Sequence, residues 1–277
     1  MSKTEMTLFQ IRETELGILK HFRDFCQREQ IRWYLSNGTL LGAVKYGGFI
    51  PWDDDIDVFV PRADYDRLMK CYADTPRYRL FSPERDKRYR FPFAKLCDMT
   101  TEKAEDNVDN GVRLGVDIDI FPLDAWADDP ARARQQAAEL MKHMDRLTFF
   151  KCAKAISVNP VKRFVKDVVL ILGRPAVGRF VRRMDRIARA NAANPRPTWL
   201  GCVVWCIYGE KEIIPADVFD SMVMVRFEGE EFPAPVGFDR YLCSLYGDYT
   251  RDPPLEEQVT HHNYHAYDLK GEKNLGW

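Results

Sequence analysis

The segment Pro51-Trp52-Asp53-Asp54-Asp55-Ile56-Asp57-Val58 constrains the fold more than any other, because it packs four carboxylates into five residues and runs straight into a β-branched stretch, Ile56 to Val60. Like charges at this density repel, and gathering them in a folded chain costs stability unless a cation sits among them. Side chains two apart on an extended chain share a face, so Asp55 and Asp57 should project together, with Asp53 beside them if the extended conformation reaches that far. Aligned carboxylates suit a hard divalent ion, Mg2+ or Mn2+, that also takes water and phosphate oxygens. The competing reading is a solvated acidic turn at the start of a strand.

A second source of acids is Gly115-Val116-Asp117-Ile118-Asp119-Ile120-Phe121, where Asp117 and Asp119 share a face between large apolar neighbours. Acids inside an apolar strand need a partner, unless the strand is an exposed edge. Upstream, Ser36-Asn37-Gly38-Thr39 supplies turn and cap chemistry before the apolar stretch Leu40 to Val44. Gly38 and Thr39 would then offer backbone N–H groups and a hydroxyl at the positive end of a helix, where phosphate binds well. A phosphate-binding turn, a DxD on one strand and an acid on a neighbouring strand together make the layout of the nucleotidyltransferase superfamily.

Around these segments the chain reads as alternating helix and strand. Apolar residues from Leu8 to Cys26 recur at helical spacing, and Ile31 to Leu35 is β-prone. A helix over Ala63 to Tyr72, strands over Phe91 to Cys97 and Val112 to Phe121, and a polar loop from Glu102 to Gly111 follow. Beyond Pro130 the pattern is largely helical to about Asn191. A β-rich patch from Met222 to Phe232 then turns at Glu228-Gly229-Glu230, and a helix over Asp239 to Tyr246 stops at Gly247. The fold class is α+β: a mixed sheet flanked by helices over residues 1–125, completed by a largely helical elaboration over 126–277, within one domain.

With 41 basic and 42 acidic side chains, bulk charge gives no reason to expect a nucleic acid partner. The first residues lack the apolar region of a secretory signal, and no stretch approaches a membrane span, so a cytoplasmic location is expected. Seven scattered cysteines form no CxxC pair and read as reduced, mostly core thiols. Residues 160–190 carry nine Lys or Arg among apolar residues. That is either a solvated face over the core or a surface that meets an anionic membrane, at the inner face, or an anionic glycan.

The stretches from Ser36 to Lys45 and from Gly48 to Val58 closely resemble the LicD family, which includes the fukutin-related proteins. The likeness continues in Arg62 to Tyr65, Phe91-Pro92-Phe93-Ala94-Lys95-Leu96, Asp119-Ile120-Phe121-Pro122-Leu123-Asp124, and Tyr246-Gly247-Asp248-Tyr249 followed by Pro253-Pro254. It spans most of the chain and is weakest from 126 to 200. The resemblance implies a nucleotidyltransferase-like fold. It also implies transfer of a phosphate-linked small alcohol, commonly phosphocholine from CDP-choline with release of CMP, onto a cell-surface glycan or its precursor such as lipopolysaccharide, teichoic acid or capsule. By position it makes Asp55, Asp57 and Asp119 the metal triad, with Asp53 a fourth catalytic candidate and Asp117 the fallback for Asp119.

Lys45, Arg62 and Lys95 fall inside or beside the resembling segments and are candidates for donor phosphates, with surface salt bridges as the alternative. Trp52 could stack on a ring or simply pack in the core. His261 and His265 have i,i+4 spacing, yet no third ligand stands at a zinc-enzyme interval; His262 resembles a family position near the cleft. Two other activities fit the same residues: a true nucleotidyltransferase that releases pyrophosphate from an NTP, and a catalytically silent binding protein. The intact set Gly38, Thr39, Asp55, Asp57 and Asp119 argues against the silent one.

Overall fold

The computed structural model describes residues 4–154, 160–173, 176–260 and 264–269. A short β1 (Thr4–Glu5) precedes α1 (Leu8–Glu29), which starts at a capping box: the Gln10 N–H donates to the Thr7 hydroxyl, and the Thr7 N–H donates to the Gln10 side chain. The apolar stripe of α1 buries Ile11, Ile18, Leu19 and Phe22. β2 (Tyr34–Leu35), α2 (Asn37–Tyr46) and β3 (Asp57–Pro61) follow, and α2 stops where Gly47 adopts a left-handed conformation. β3 passes directly into α3 (Arg62–Cys71), ahead of β4 (Tyr78–Phe81) and the two long strands β5 (Ala94–Glu105) and β6 (Leu114–Ala125).

The helical stretch then arrives as expected, in α4 (Pro130–Lys151), α5 (Pro160–Gly173) and α6 (Val177–Ala188). Short strands β7 (Trp199–Gly201) and β8 (Ile214–Pro215) lead to the hairpin β9 (Met222–Phe227) and β10 (Glu230–Pro235), then α7 (Phe238–Tyr246) and β11 (Tyr264–Asp268). The architecture is α+β, a mixed sheet flanked by helices.

The main sheet runs β1-β11-β5-β6-β3-β2, with β4 also paired to β5 and β7 to β6. β3 and β6 are parallel, while their other neighbours run antiparallel. That parallel pairing sets Asp57 opposite Asp119, and the β5–β6 pairing sets Lys95 opposite Asp119, so the three polar residues form one row across three strands. α1 lies over β5 and β6.

One boundary changes. The polar loop expected from Glu102 to Gly111 begins later, because β11 pairs with Thr101 to Glu105 and draws Glu102 to Glu105 into β5. Pairing with a strand from the far end of the chain supplies the hydrogen bonds that a local reading does not see. His265 lies on strand β11, and its Nδ1 meets Glu5 at 2.5 Å. His261 and His262 lie outside the described residues. The seven cysteines are free thiols, with Cys26, Cys97, Cys202 and Cys206 buried.

Arg62 also takes a different place from the donor-phosphate role considered for it. Its guanidinium makes two 2.6 Å bonds to the buried Asp124 carboxylate and approaches Asp185 at 3.5 Å. Arg189 extends the network to Asp66 and Asp185, tying α3 and the end of β6 to α6. Burial would push the Asp124 carboxyl up, and the Arg62 charge opposes that. Removing one partner of a buried pair strands the other charge, so Arg62→Ala should lower unfolding free energy by about 3–5 kcal/mol in urea titrations. Unchanged stability with lost turnover would instead put Arg62 on the substrate.

Candidate active site

The loop that carries the acids is held from outside by α1. Arg12 donates to the carbonyls of Ile50, Pro51 and Asp53 at 2.5–3.0 Å, and its guanidinium lies over the Phe49 ring at 5.1 Å. The hairpin turn between β9 and β10 grips the same loop, since the Glu228 carboxylate accepts from the Phe49 N–H and the Glu228 N–H donates to Gly47 O. Gly42 permits the close approach: a Cβ there would stand 2.4 Å from Gly48 O.

Within this frame the acidic side chains alternate. Asp53, Asp55 and Asp57 line one cleft of about 690 Å³. Asp54 is buried and turned elsewhere: its carboxylate accepts from the Thr260 hydroxyl at 2.8 Å and its carbonyl from the Tyr264 hydroxyl at 3.1 Å. The cleft walls come from α2 and from the second half of the chain, with Lys45, Tyr46, Trp52, Tyr208, Tyr246 and Tyr249 among them. Tyr46 and Trp52 meet edge to face at 6.3 Å, as do Tyr208 and Tyr246 at 5.4 Å.

Asp57 is fixed by α2. Its N–H donates to the Thr39 hydroxyl at 2.8 Å, and its carboxylate is hydrogen bonded by the Asn37 side chain. Asn37 adopts a positive φ of 45°, which asparagine tolerates, and its Oδ1 accepts from the Tyr241 hydroxyl at 2.7 Å. Thr39 is therefore buried behind Asp57 and positions it, rather than facing the cleft as a phosphate contact. Gly38 does line the cleft, and a Cβ there would stand 2.7 Å from an Asp53 carboxylate oxygen. Lys45 faces the cleft too, its Nζ 2.6 Å from Asp252.

Asp119 abuts Asp57 across the parallel pair, but its carboxylate is turned to Lys95. Lys95 also binds Asp117 at 3.0 Å, and Lys103 binds Asp117 at 3.3 Å. Lys95 is thus buried among acids instead of reaching toward a donor, because the charges of Asp117 and Asp119 outweigh the cost of its own burial. Among the described residues, no three carboxylate, imidazole or thiolate groups surround a common point as the side chains stand.

Burial and mutual repulsion govern the electrostatics. Burial first, then Asp55, pushes the Asp53 carboxyl up to about 8. Burial, then the Asp55 and Asp119 charges, raises Asp57 well above the usual carboxylate range. Burial raises Asp119 to about 6 against the opposing Lys95, whereas for Asp117 the two lysines outweigh burial and lower it. This excess of negative charge, in an all-oxygen set at Asp53, Asp55 and Asp57, has the chemistry that suits a hard divalent ion; the Asp119 carboxylate, turned to Lys95, would have to leave it to join them.

Two residues near the acids escaped sequence reasoning. Arg12 looks like one more charge on the polar side of an amphipathic helix. Glu15 is fully buried on the inner face of α1, neither of its carboxylate oxygens has a hydrogen-bond partner among the described residues, and burial raises it well above its ordinary value near Lys103 and Asp55. Its signal was present: Glu15 stands four residues after Ile11 and three before Ile18, on the apolar stripe.

Comparison with known proteins matches residues 30–153 to the family model described as LicD/FKTN/FKRP, nucleotidyltransferase domain. The lipopolysaccharide cholinephosphotransferase LicD of Haemophilus influenzae is 30% identical over 265 residues, covering 92% of this chain and 95% of that protein. Uncharacterized proteins of Rickettsia prowazekii and Rickettsia typhi are each 36% identical over 47 residues, or 17% of this chain, covering 18% and 15% of those proteins. On the extent of the match to the Haemophilus protein, the chain belongs to the LicD family and is a LicD-type transferase.

Proposed function

We propose that the protein transfers phosphocholine from CDP-choline to a lipopolysaccharide or its glycan precursor, releasing CMP. The observation that carries this reading is one cleft with Asp53, Asp55 and Asp57 on its floor and Tyr46, Trp52, Tyr208, Tyr246 and Tyr249 on its walls. The two surfaces suit the two ends of that donor. Carboxylates with a divalent ion take the diphosphate, and aromatic faces take a quaternary ammonium through cation–π attraction. The Haemophilus relative, a lipopolysaccharide cholinephosphotransferase, supports the choline phosphate and the lipopolysaccharide acceptor.

Asp55, Asp57 and Asp119 would hold Mg2+ or Mn2+, which when bound supplies positive charge to the phosphoryl oxygens and the leaving group. The chain's own residues do the rest. Lys45 at the cleft wall meets donor phosphate, and Gly38 leaves room for Asp53. Asp53 is the base that takes the proton of the acceptor hydroxyl once it is ionised; burial and the Asp55 charge hold its carboxyl up at about 8, and positive charge in the cleft would favour the ionised form. The hydroxyl oxygen bonds to the phosphorus that bears choline, the bond from that phosphorus to the bridging oxygen breaks, and CMP departs with the electron pair. The β3–β6 pairing keeps Asp119 beside Asp57, and Lys95 neutralises it until its carboxylate turns to the ion.

Asp57→Asn should abolish CMP release from CDP-choline while circular dichroism and thermal unfolding stay native; full activity in this variant would refute the role. Pyrophosphate released from CTP, in place of CMP from CDP-choline, would point to the nucleotidyltransferase alternative. Trp52→Ala should raise KM for CDP-choline by roughly 5- to 30-fold, the equivalent of about 1–2 kcal/mol of cation–π attraction, and leave a CDP-alcohol without a quaternary ammonium largely unaffected. Equal losses on both donors would remove the aromatic argument.

The acids also make metal binding depend on pH. Carboxyls raised on folding bind more protons in the folded than in the unfolded state, so their ionisation destabilises the fold as pH climbs from about 4 toward 8. A divalent ion offsets that cost only where they ionise. The rise in Tm on adding Mg2+ should therefore be larger at pH 8 than at pH 5.5, and the reverse order would contradict the ligand assignment.

A further inference from the structure

We infer that α5 and the basic cleft beside it dock the protein on an anionic lipid surface. α5 presents a stripe of Val161, Phe164, Val165, Val168 and Leu172 at helical spacing, with Phe164 70% and Leu172 75% exposed. Leu170, on the opposite side of the helix, is 2% exposed and faces the protein. The stripe therefore points outward along the helix. Ile171 and Val169 widen it, at 61% and 44% exposure. No helix among the described residues is long and apolar enough to cross a membrane, so a helix of this character would lie in the interface.

A second feature stands next to the stripe. The end of α5 packs on Phe150, which a Cβ at Gly173 would overlap, and Phe150 stacks on Phe180 at 5.7 Å. Phe180 lines a cleft of about 530 Å³ between α4 and α6 together with Lys142, His143, Arg146, Arg179 and Arg183. Glu139 is the acid of this lining; it pairs with Arg183 at 2.8 Å and meets His143 at 3.6 Å, leaving Lys142, Arg146 and Arg179 as cations without an acidic partner among the described residues. Arg163 and Lys166 are exposed but stand at i−7 and i−4 from Leu170, on the side of α5 away from the stripe, so the cations that matter here are those of the cleft.

Charge decides the occupant. A second copy seated on the stripe would bring these basic faces together, whereas an anionic bilayer supplies apolar depth for the stripe and phosphates for the cations at once. α4 connects this surface to the cleft: Lys142 lines the basic pocket, while the preceding Met141 packs against Gly209, next to the cleft residue Tyr208. A lipid-borne acceptor would then reach the protein on a helix that packs behind one wall of the reaction cleft. Docking does not depend on which alcohol is transferred.

Co-sedimentation of the full chain with phosphatidylglycerol–phosphatidylcholine vesicles and with phosphatidylcholine alone tests it. The expected result is binding to the anionic vesicles, at least tenfold weaker on neutral vesicles, weakened by salt. Phe164→Asp with Leu172→Asp, and separately Arg146→Glu with Arg179→Glu, should each lose at least tenfold while their thermal unfolding stays native, since all four residues are exposed. Absence of vesicle binding overturns the inference, as does binding that survives both double variants. A dimer in solution that Phe164→Asp with Leu172→Asp dissolves, without vesicle binding, would assign the stripe to a second copy and overturn it too.

Discussion

Parallel pairing of β3 with β6 places two carboxylates, Asp57 and Asp119, side by side on adjacent strands, and much of the surrounding structure answers that repulsion. Like charges directly opposite destabilise a sheet, so a fold that keeps them needs compensation from elsewhere. Lys95 supplies it in the same cross-strand row, from the antiparallel side of β6. Lys103 and Asp117 extend the alternation of charge below, and α1 closes over it with the buried Glu15. The arrangement has the form of a charge imbalance maintained at a site rather than one relaxed away, the pattern expected where an ion or phosphate is to be bound.

The acids themselves are aimed by neutral groups. Thr39 anchors the backbone of Asp57, and Asn37, at a positive φ, connects its carboxylate to Tyr241 on α7. Arg12 spends its donors on loop carbonyls instead of carboxylates, so it orders the loop without neutralising the cleft. The cleft is consequently a joint product of the first and last parts of the chain: the acids come from the start of β3 and the loop before it, and Tyr208, Tyr246 and Tyr249 close the far wall.

Much of this was legible in the sequence where the signal was local. The alternation through Asp53, Asp55 and Asp57 matches the period of two read from the sequence, although β3 begins only at Asp57 and the first two acids stand on the loop before it; the α2 stop follows from Gly47, and the β9–β10 hairpin from Glu228-Gly229-Glu230. Illegible features depend on partners distant in the chain. β11 pairs with β5 across most of the molecule, and β1, β7 and β8 are too short to show a period of two. Residue type alone marked Arg62, Lys95 and Thr39 as candidates for phosphate. Their partners, Asp124, Asp117 with Asp119, and the Asp57 N–H, depend on the tertiary fold.

The central claim is that Asp57 and Asp119, joined by Asp55, share one divalent ion. The most direct measurement is anomalous diffraction from crystals grown with Mn2+ and CDP-choline. The account predicts a single dominant peak within bonding distance of the Asp55, Asp57 and Asp119 carboxylates, with the diphosphate of the donor against it. A peak bound elsewhere, or a donor seated in the cleft with Asp119 still turned to Lys95 and no ion beside Asp57, would contradict it.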